Sequence, residues 1–106
     1  MSKKVIFISG PYRSESEWGL EENIRHAQSA SIKLWKDGWV VICPHLNTAH
    51  FGGVCPDSVW LEGDLEILKR CDAIYMLNTA HHSVGAQAEL MAALTWGKEV
   101  IYEGKE

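Results

Sequence analysis

Val5-Ile6-Phe7-Ile8 is apolar at every position, and residues 39–43, 73–77 and 100–102 are likewise apolar or aromatic throughout. A strand with one wet face alternates between apolar and polar residues. A strand apolar at every position is buried on both faces, as in a parallel sheet covered by helices. Parallel neighbours cannot be joined by a hairpin, so a long crossover must lie between successive strands. The intervening segments are long enough to supply one each time.

Those segments carry helical signals. A helix is expected over 16–37, with Ser16 as N-cap, Glu17 in the first turn and Gly38 just past the end. Leu20, Ile24, Ala27, Ser31 and Leu34 form its apolar stripe. A second helix is expected over 57–70 on a stripe of Leu61, Leu65 and Leu68, and a third over 84–96 on Ala86, Leu90 and Ala93, closed by Gly97. Residues 45–56 and 78–83 read as loops. The order β-α-β-α-β-α-β implies right-handed crossovers with helices on both faces of the sheet. In such sheets a ligand crevice opens beyond the carboxyl ends of the strands. That singles out residues 9–14, 44–50, 78–85 and 103 onward.

Composition narrows the function. A chain of 106 residues with 46% hydrophobic and 23% charged residues suits one folded domain, 1–106. A net charge of −4 argues against a nucleic-acid polymer as partner. The apolar run near the start is too short to cross a bilayer or act as a signal peptide, so no membrane partner is expected and the protein reads as cytoplasmic. Three cysteines, Cys43, Cys55 and Cys71, with no close pair, fit neither a disulfide framework nor a cysteine-rich zinc site. Cys43 and Cys71 read as packed thiols. His45 and His50, or the adjacent His81 and His82, match no metal spacing well, so neither metal nor cofactor is expected.

Two carboxylates stand out. Glu89 lies beside the apolar stripe of its helix, among the small residues Gly85, Ala92 and Ala93, about one turn from the positive amino end. Such a carboxylate suits attack on a sugar carbon. On spacing alone the favoured reading is a boundary residue solvated at one edge. Asp64 flanks the stripe of the preceding helix, where burial would raise its pKa and suit it to proton transfer. The alternative is an Asp bonded to a neighbouring loop. Paired acids of this kind are the usual equipment for breaking a glycosidic bond. Asp72, at the opposite end of the sheet, reads as a structural cap. In the first loop, Gly10 permits close approach, while Arg13 and Ser14 are phosphate donors before a helix amino end. Ser83 and Gly85 give a similar signal, though Ser83 also reads as an N-cap. His45, just past the second strand, is placed to line the pocket. Trp35, Trp39, Trp60 and Trp96 read as core or interface residues.

Three segments together resemble the nucleoside 2-deoxyribosyltransferase superfamily. They are Phe7 to Tyr12, Asp64 to Ile74, and Ser83 to Leu90 with Ala93 and Gly97 to Val100. The chain is also similar to small phage and bacterial members and to deoxynucleoside 5′-monophosphate N-hydrolases. The resemblance implies a flavodoxin-like three-layer α/β fold with a parallel sheet in the order 2-1-3-4, of four strands or, following the family pattern, five. It implies that Glu89 is the nucleophile and Asp64 the residue that manages the leaving base's proton. Substrate contacts would come from Ser9, Gly10, Pro11, Tyr12, Arg13, His45, Ser83 and Gly85. Arg13 and Ser83 fit the branch that takes monophosphates. A nucleoside or nucleotide partner and a homodimer or larger homo-oligomer are further implications. Phe7 stands where the family often has a Tyr that holds the nucleophile, which leaves two alternatives: Tyr12 or Tyr75 substitutes for it, or activity is weak or absent. Two other functions fit the sequence, a nucleotide-binding module without catalysis and, on account of the tryptophans, a protein-interaction domain.

Overall fold

The computed structural model describes residues 3–106. Strands β1 (Val5–Ser9), β2 (Val40–Ile42), β3 (Ala73–Met76) and β4 (Glu99–Tyr102) form one parallel sheet. Its order is 2-1-3-4, with four strands among the described residues. Helices α1 (Glu17–Lys36), α3 (Asp57–Lys69) and α4 (Val84–Thr95) are the crossovers, and a short α2 (Pro44–Asn47) follows β2.

The strand period of two divides the core between the faces. Ile6 and Ile8 point to one side and pack with Ala27, Ala30 and Leu34 of α1. Phe7 points to the other and packs with Leu68 of α3 and with Ala86 and Ala93 of α4. Both faces are dry over β1 and β3, whose runs are apolar at every position, whereas the edge strand β4 is only half-buried at Val100 and Ile101 and exposes Tyr102. Each of these fully buried large side chains contributes about 1.5–3 kcal/mol. The result is a three-layer α/β fold with a central β1 bonded on both edges.

Most local signals read from the sequence hold. Ser16 caps α1, its Oγ accepting from the Gly19 amide at 2.9 Å. Gly38 and Gly97 follow their helices at positive φ, 101° and 69°. Asp72 is a structural cap, its Oδ2 accepting from the Val5 amide at 2.8 Å and tying β3 to β1. Cys71 is buried and Cys43 half-buried, both as free thiols that burial pushes up in pKa. No helix among the described residues is long and apolar enough to cross a membrane.

Some readings are corrected. Residues 45–56 are not all loop, because Pro44 at the first helical position starts α2. The 78–83 loop contains a 3-10 turn over Ala80–His82. Of the four tryptophans read as core or interface residues, Trp39 packs against the α1-side core. Trp35 is 53% exposed and Trp96 37%, while Trp39 and Trp60 are half-buried.

Candidate active site

The site is assembled at the carboxyl end of β1. Helix α4 starts there, with Ser83 as N-cap and its Oγ accepting from the Ala86 amide at 3.1 Å. Along Val84–Thr95, Glu89 is the one ionisable residue, and it is turned inward. The outward positions Val84, Met91 and Leu94 are apolar and exposed. This inverts the usual pattern of a surface helix, in which charge faces water. A carboxylate placed inward against that pattern calls for a compensating partner.

The partner is Ser9. It follows Phe7 by two residues, so β1 directs it to the same face, and it is fully buried. Its Oγ donates to Glu89 Oε1 at 2.6 Å. Burial pushes the Glu89 carboxyl up to about 7. The Ser9 hydrogen bond opposes that rise and the nearby Asp64 charge adds to it. Asp64 is itself pushed up to about 6 by burial. The two acids therefore share one side of the sheet, since α3 and α4 pack together there.

Of the expected α3 stripe, Leu65 and Leu68 pack into the core on this face and Leu61 does not. Leu61 is 53% exposed, whereas Trp60, Asp64 and Leu68 turn inward at spacings of four. Asp64 thus lies within the inner face rather than beside it. Trp60, one turn nearer the mouth, has a buried indole N–H without a partner and stands edge-on to Phe51, with 5.9 Å between ring centroids. Sequence reasoning had set Trp60 aside. Its i, i+4 relation to Asp64 is the signal that would have placed it.

The β1–α1 loop closes over the end of the strand. A Cβ on Gly10 would lie 2.6 Å from Leu77 Cδ1, so glycine is needed for that approach. Asn23, not singled out from sequence, holds the loop by donating to the Tyr12 and Arg13 carbonyls at 3.0 and 3.3 Å. His45 is buried, and its Nε2 donates to the Pro11 carbonyl at 3.0 Å. Burial lowers its pKa and keeps the ring neutral, leaving Nδ1 as an unpartnered acceptor. Tyr12 stands edge-on to His45, and its hydroxyl accepts from the His50 amide at 2.7 Å. Arg13 is exposed and ion-paired with Asp57 at the amino end of α3. Asp57 had not been singled out either.

Ser9, Asp64 and Glu89 are therefore brought together, and Gly10, Pro11, Tyr12 and His45 form one hydrogen-bonded wall beside them. Ser83 and Gly85 lie at the α4 amino end. Arg13 faces Asp57 across the loops. Neither Tyr12 nor Tyr75 takes the place of a Tyr at position 7. Tyr12 is bonded to His50, and Tyr75 lies on the α1 face, where its hydroxyl donates to Glu106 at 3.0 Å. Two surface grooves of about 400 and 430 Å³ lie elsewhere, between α1 and β4 and along the outer edge of β2, and neither is lined by Glu89 or Asp64. Among the described residues no group of three His, Cys, Asp or Glu side chains is arranged as metal ligands.

Known structures share this architecture. A 2-deoxyribosyltransferase from the psychrotolerant bacterium Bacillus psychrosaccharolyticus superposes with a TM-score of 0.72 at 24% identity, over 92% of this chain and 70% of that one. One from Leishmania mexicana gives 0.65 at 20% identity, over 93% of this chain and 63% of that one. The fold is thus the one these transferases have, and the chain spans under two thirds of the Leishmania protein. No curated protein matches the sequence significantly. A family model described as a domain of unknown function, DUF4406, matches residues 4–102, and the chain belongs to that family.

Proposed function

We propose that residues 1–106 act as one nucleoside deoxyribosyltransferase-like domain that cleaves or exchanges the N-glycosidic bond of a deoxynucleoside or its 5′-monophosphate. One observation carries this reading. The single ionisable residue of α4 is turned into the protein, hydrogen-bonded through one oxygen, with a second acid close enough for its charge to be felt. The shared fold with two 2-deoxyribosyltransferases supports it.

In this reading a Glu89 carboxylate oxygen attacks C1′ as the bond from C1′ to the base nitrogen breaks. The departing base takes its proton from the Asp64 carboxyl. A deoxyribosyl ester of Glu89 results, and Asp64 is left ionised. Water or a second base then attacks C1′, releasing Glu89 and returning a proton to Asp64. Water as acceptor makes the protein a hydrolase, and a base makes it a transferase. The Ser83 hydroxyl accepts from Ala86 yet keeps its own proton to donate toward the sugar's 5′ end. For a monophosphate, Arg13 would exchange Asp57 for the phosphate. A cytoplasmic setting, which suits three free cysteines, and self-association into a homodimer or larger homo-oligomer complete the proposal.

The test is chromatographic release of free base from a panel of deoxynucleosides and their monophosphates, with and without a second base, beside Glu89→Ala. Release by the native protein that falls by at least about a hundredfold in the variant is expected. No release from any substrate, with melting still raised by a nucleotide, would instead identify a binding module without catalysis.

A further inference from the structure

Glu89 has to be an anion to attack, yet its surroundings favour the neutral acid. It is buried, and Asp64 on α3 repels its charge. The other titratable groups on elements packed against α4 are Asp57, Glu62, Glu66 and Lys69 on α3, Tyr75 on the far face of β3, Glu99 and Tyr102 on β4, and His81 and His82 on the 3-10 turn; none of them hydrogen-bonds Glu89. The one cation among them, Lys69, lies over the Trp96 ring at the carboxyl end of α4. The side chains that β1 and β3 present on this face, Phe7, Ile74 and Met76, are apolar except for Ser9.

Ser9 is therefore the one group here that favours the anion. Its hydroxyl meets Oε1 at 2.6 Å, in the range of a hydroxyl bonded to a carboxylate. Its backbone is fixed, because Ser9 is in register with Met76 and its carbonyl accepts from the Leu77 amide at 2.9 Å. A short side chain on the central strand has almost no freedom to aim elsewhere. Among the described residues nothing else hydrogen-bonds the Glu89 carboxyl, so Oε2 is unengaged.

We infer that Ser9 is a positioning residue whose hydroxyl holds the buried Glu89 carboxylate ionised, fixes Oε1, and leaves Oε2 as the oxygen that attacks C1′. The last clause rests on the glycosidic reading, whereas the first two concern the resting protein alone. Ser9 was expected to touch substrate. Full burial and a bond to Glu89 give it a different task.

The experiment follows the Glu89 carboxyl directly by carbon-13 NMR of glutamate-labelled protein across pH, with the signal assigned by its loss in Glu89→Gln. Native protein is compared with Ser9→Ala and with Ser9→Cys, a near-isosteric change that keeps a weak donor and fills the same space if the alanine variant does not fold. In both variants the Glu89 midpoint is expected to rise, by about one pH unit for alanine and less for cysteine. The acid limb of base release should move with it, lowering kcat about tenfold on that limb while KM holds. A Glu89 midpoint within about 0.2 units of native in a folded variant would overturn the role of Ser9, since even a weak bond to the charged form shifts it further. The titration needs no substrate. A shifted midpoint in a protein that releases no base would sink the glycosidic reading and leave Ser9's hold on Glu89 standing.

Discussion

Glu89 is where the cost of a function should be measurable in the resting protein. Its carboxyl is pushed up to about 7, chiefly by burial. A raised folded-state value means that the folded form binds the proton more tightly than the unfolded form, so ionisation subtracts stability. The loss begins as pH rises past the unfolded value near 4.5, grows until about 7 and is constant above that. Each unit is worth about 1.4 kcal/mol, so the total is on the order of 1–3 kcal/mol once relaxation is allowed for. Glu89→Gln should therefore unfold at higher denaturant than native protein at pH 8, by about that amount, with the gap closing at pH 5. Equal midpoints at pH 8 would mean that the buried charge carries no such penalty. The activity profile follows from the same pair. In the proposed reaction the productive form has Glu89 ionised and Asp64 protonated; the pair holds one proton between about 6 and about 7, and because Glu89 is pushed higher that proton rests mostly on Glu89, so the productive arrangement is the minor one of the singly protonated pair. A narrow bell for kcat/KM with limbs near those values is expected. Activity rising without limit toward acid pH would remove Glu89 as nucleophile.

At the scale of elements, the loop after β1 is held by one close approach. Gly10→Ala would drive a Cβ to 2.6 Å from Leu77 Cδ1, in a place where Leu77 is itself buried. The change should cost about 1–3 kcal/mol of stability, read as a lower denaturant midpoint, and disturb the Pro11–Tyr12–His45 wall. A neutral effect would show that Leu77 yields freely. The strands and the long helices were legible because local signals agree there. Continuous apolar runs, a Ser N-cap and trailing glycines all point one way. The inner face of α3 was not. Leu65 and Leu68 pack inward as their spacing implies, but Trp60–Asp64–Leu68 fits helical spacing as well as Leu61–Leu65–Leu68 does, and only tertiary packing leaves Leu61 out and turns Trp60 and Asp64 in. Glu89 was legible through resemblance rather than spacing. Ser9 as its partner was not, because they lie 80 residues apart and a small polar residue at a strand end has many uses. Asp57 escaped for a similar reason, since an exposed acid at a helix start already has an ordinary explanation in the helix dipole.

At the scale of the molecule, the inverted pattern of α4 leaves Val84, Met91 and Leu94 exposed along its outer side. An apolar, uncharged helix face of this kind supports the proposed self-association. Met91→Lys should convert the assembly to monomers in sedimentation without altering the circular dichroism spectrum. A native protein that sediments as a monomer at all concentrations would end that part of the proposal. The topology also bears on how the molecule comes into being. β1 sits in the middle of the sheet, yet its neighbour β3 is made long after it, and Glu89 later still. On a ribosome adding roughly 5–20 residues per second, the first strand waits seconds, its apolar side chains bare, for the partner that covers them. Ser9 meets Glu89 only after the 80 residues that separate them have emerged. A nascent chain that stops short of residue 89 therefore has no assembled Ser9–Glu89 pair.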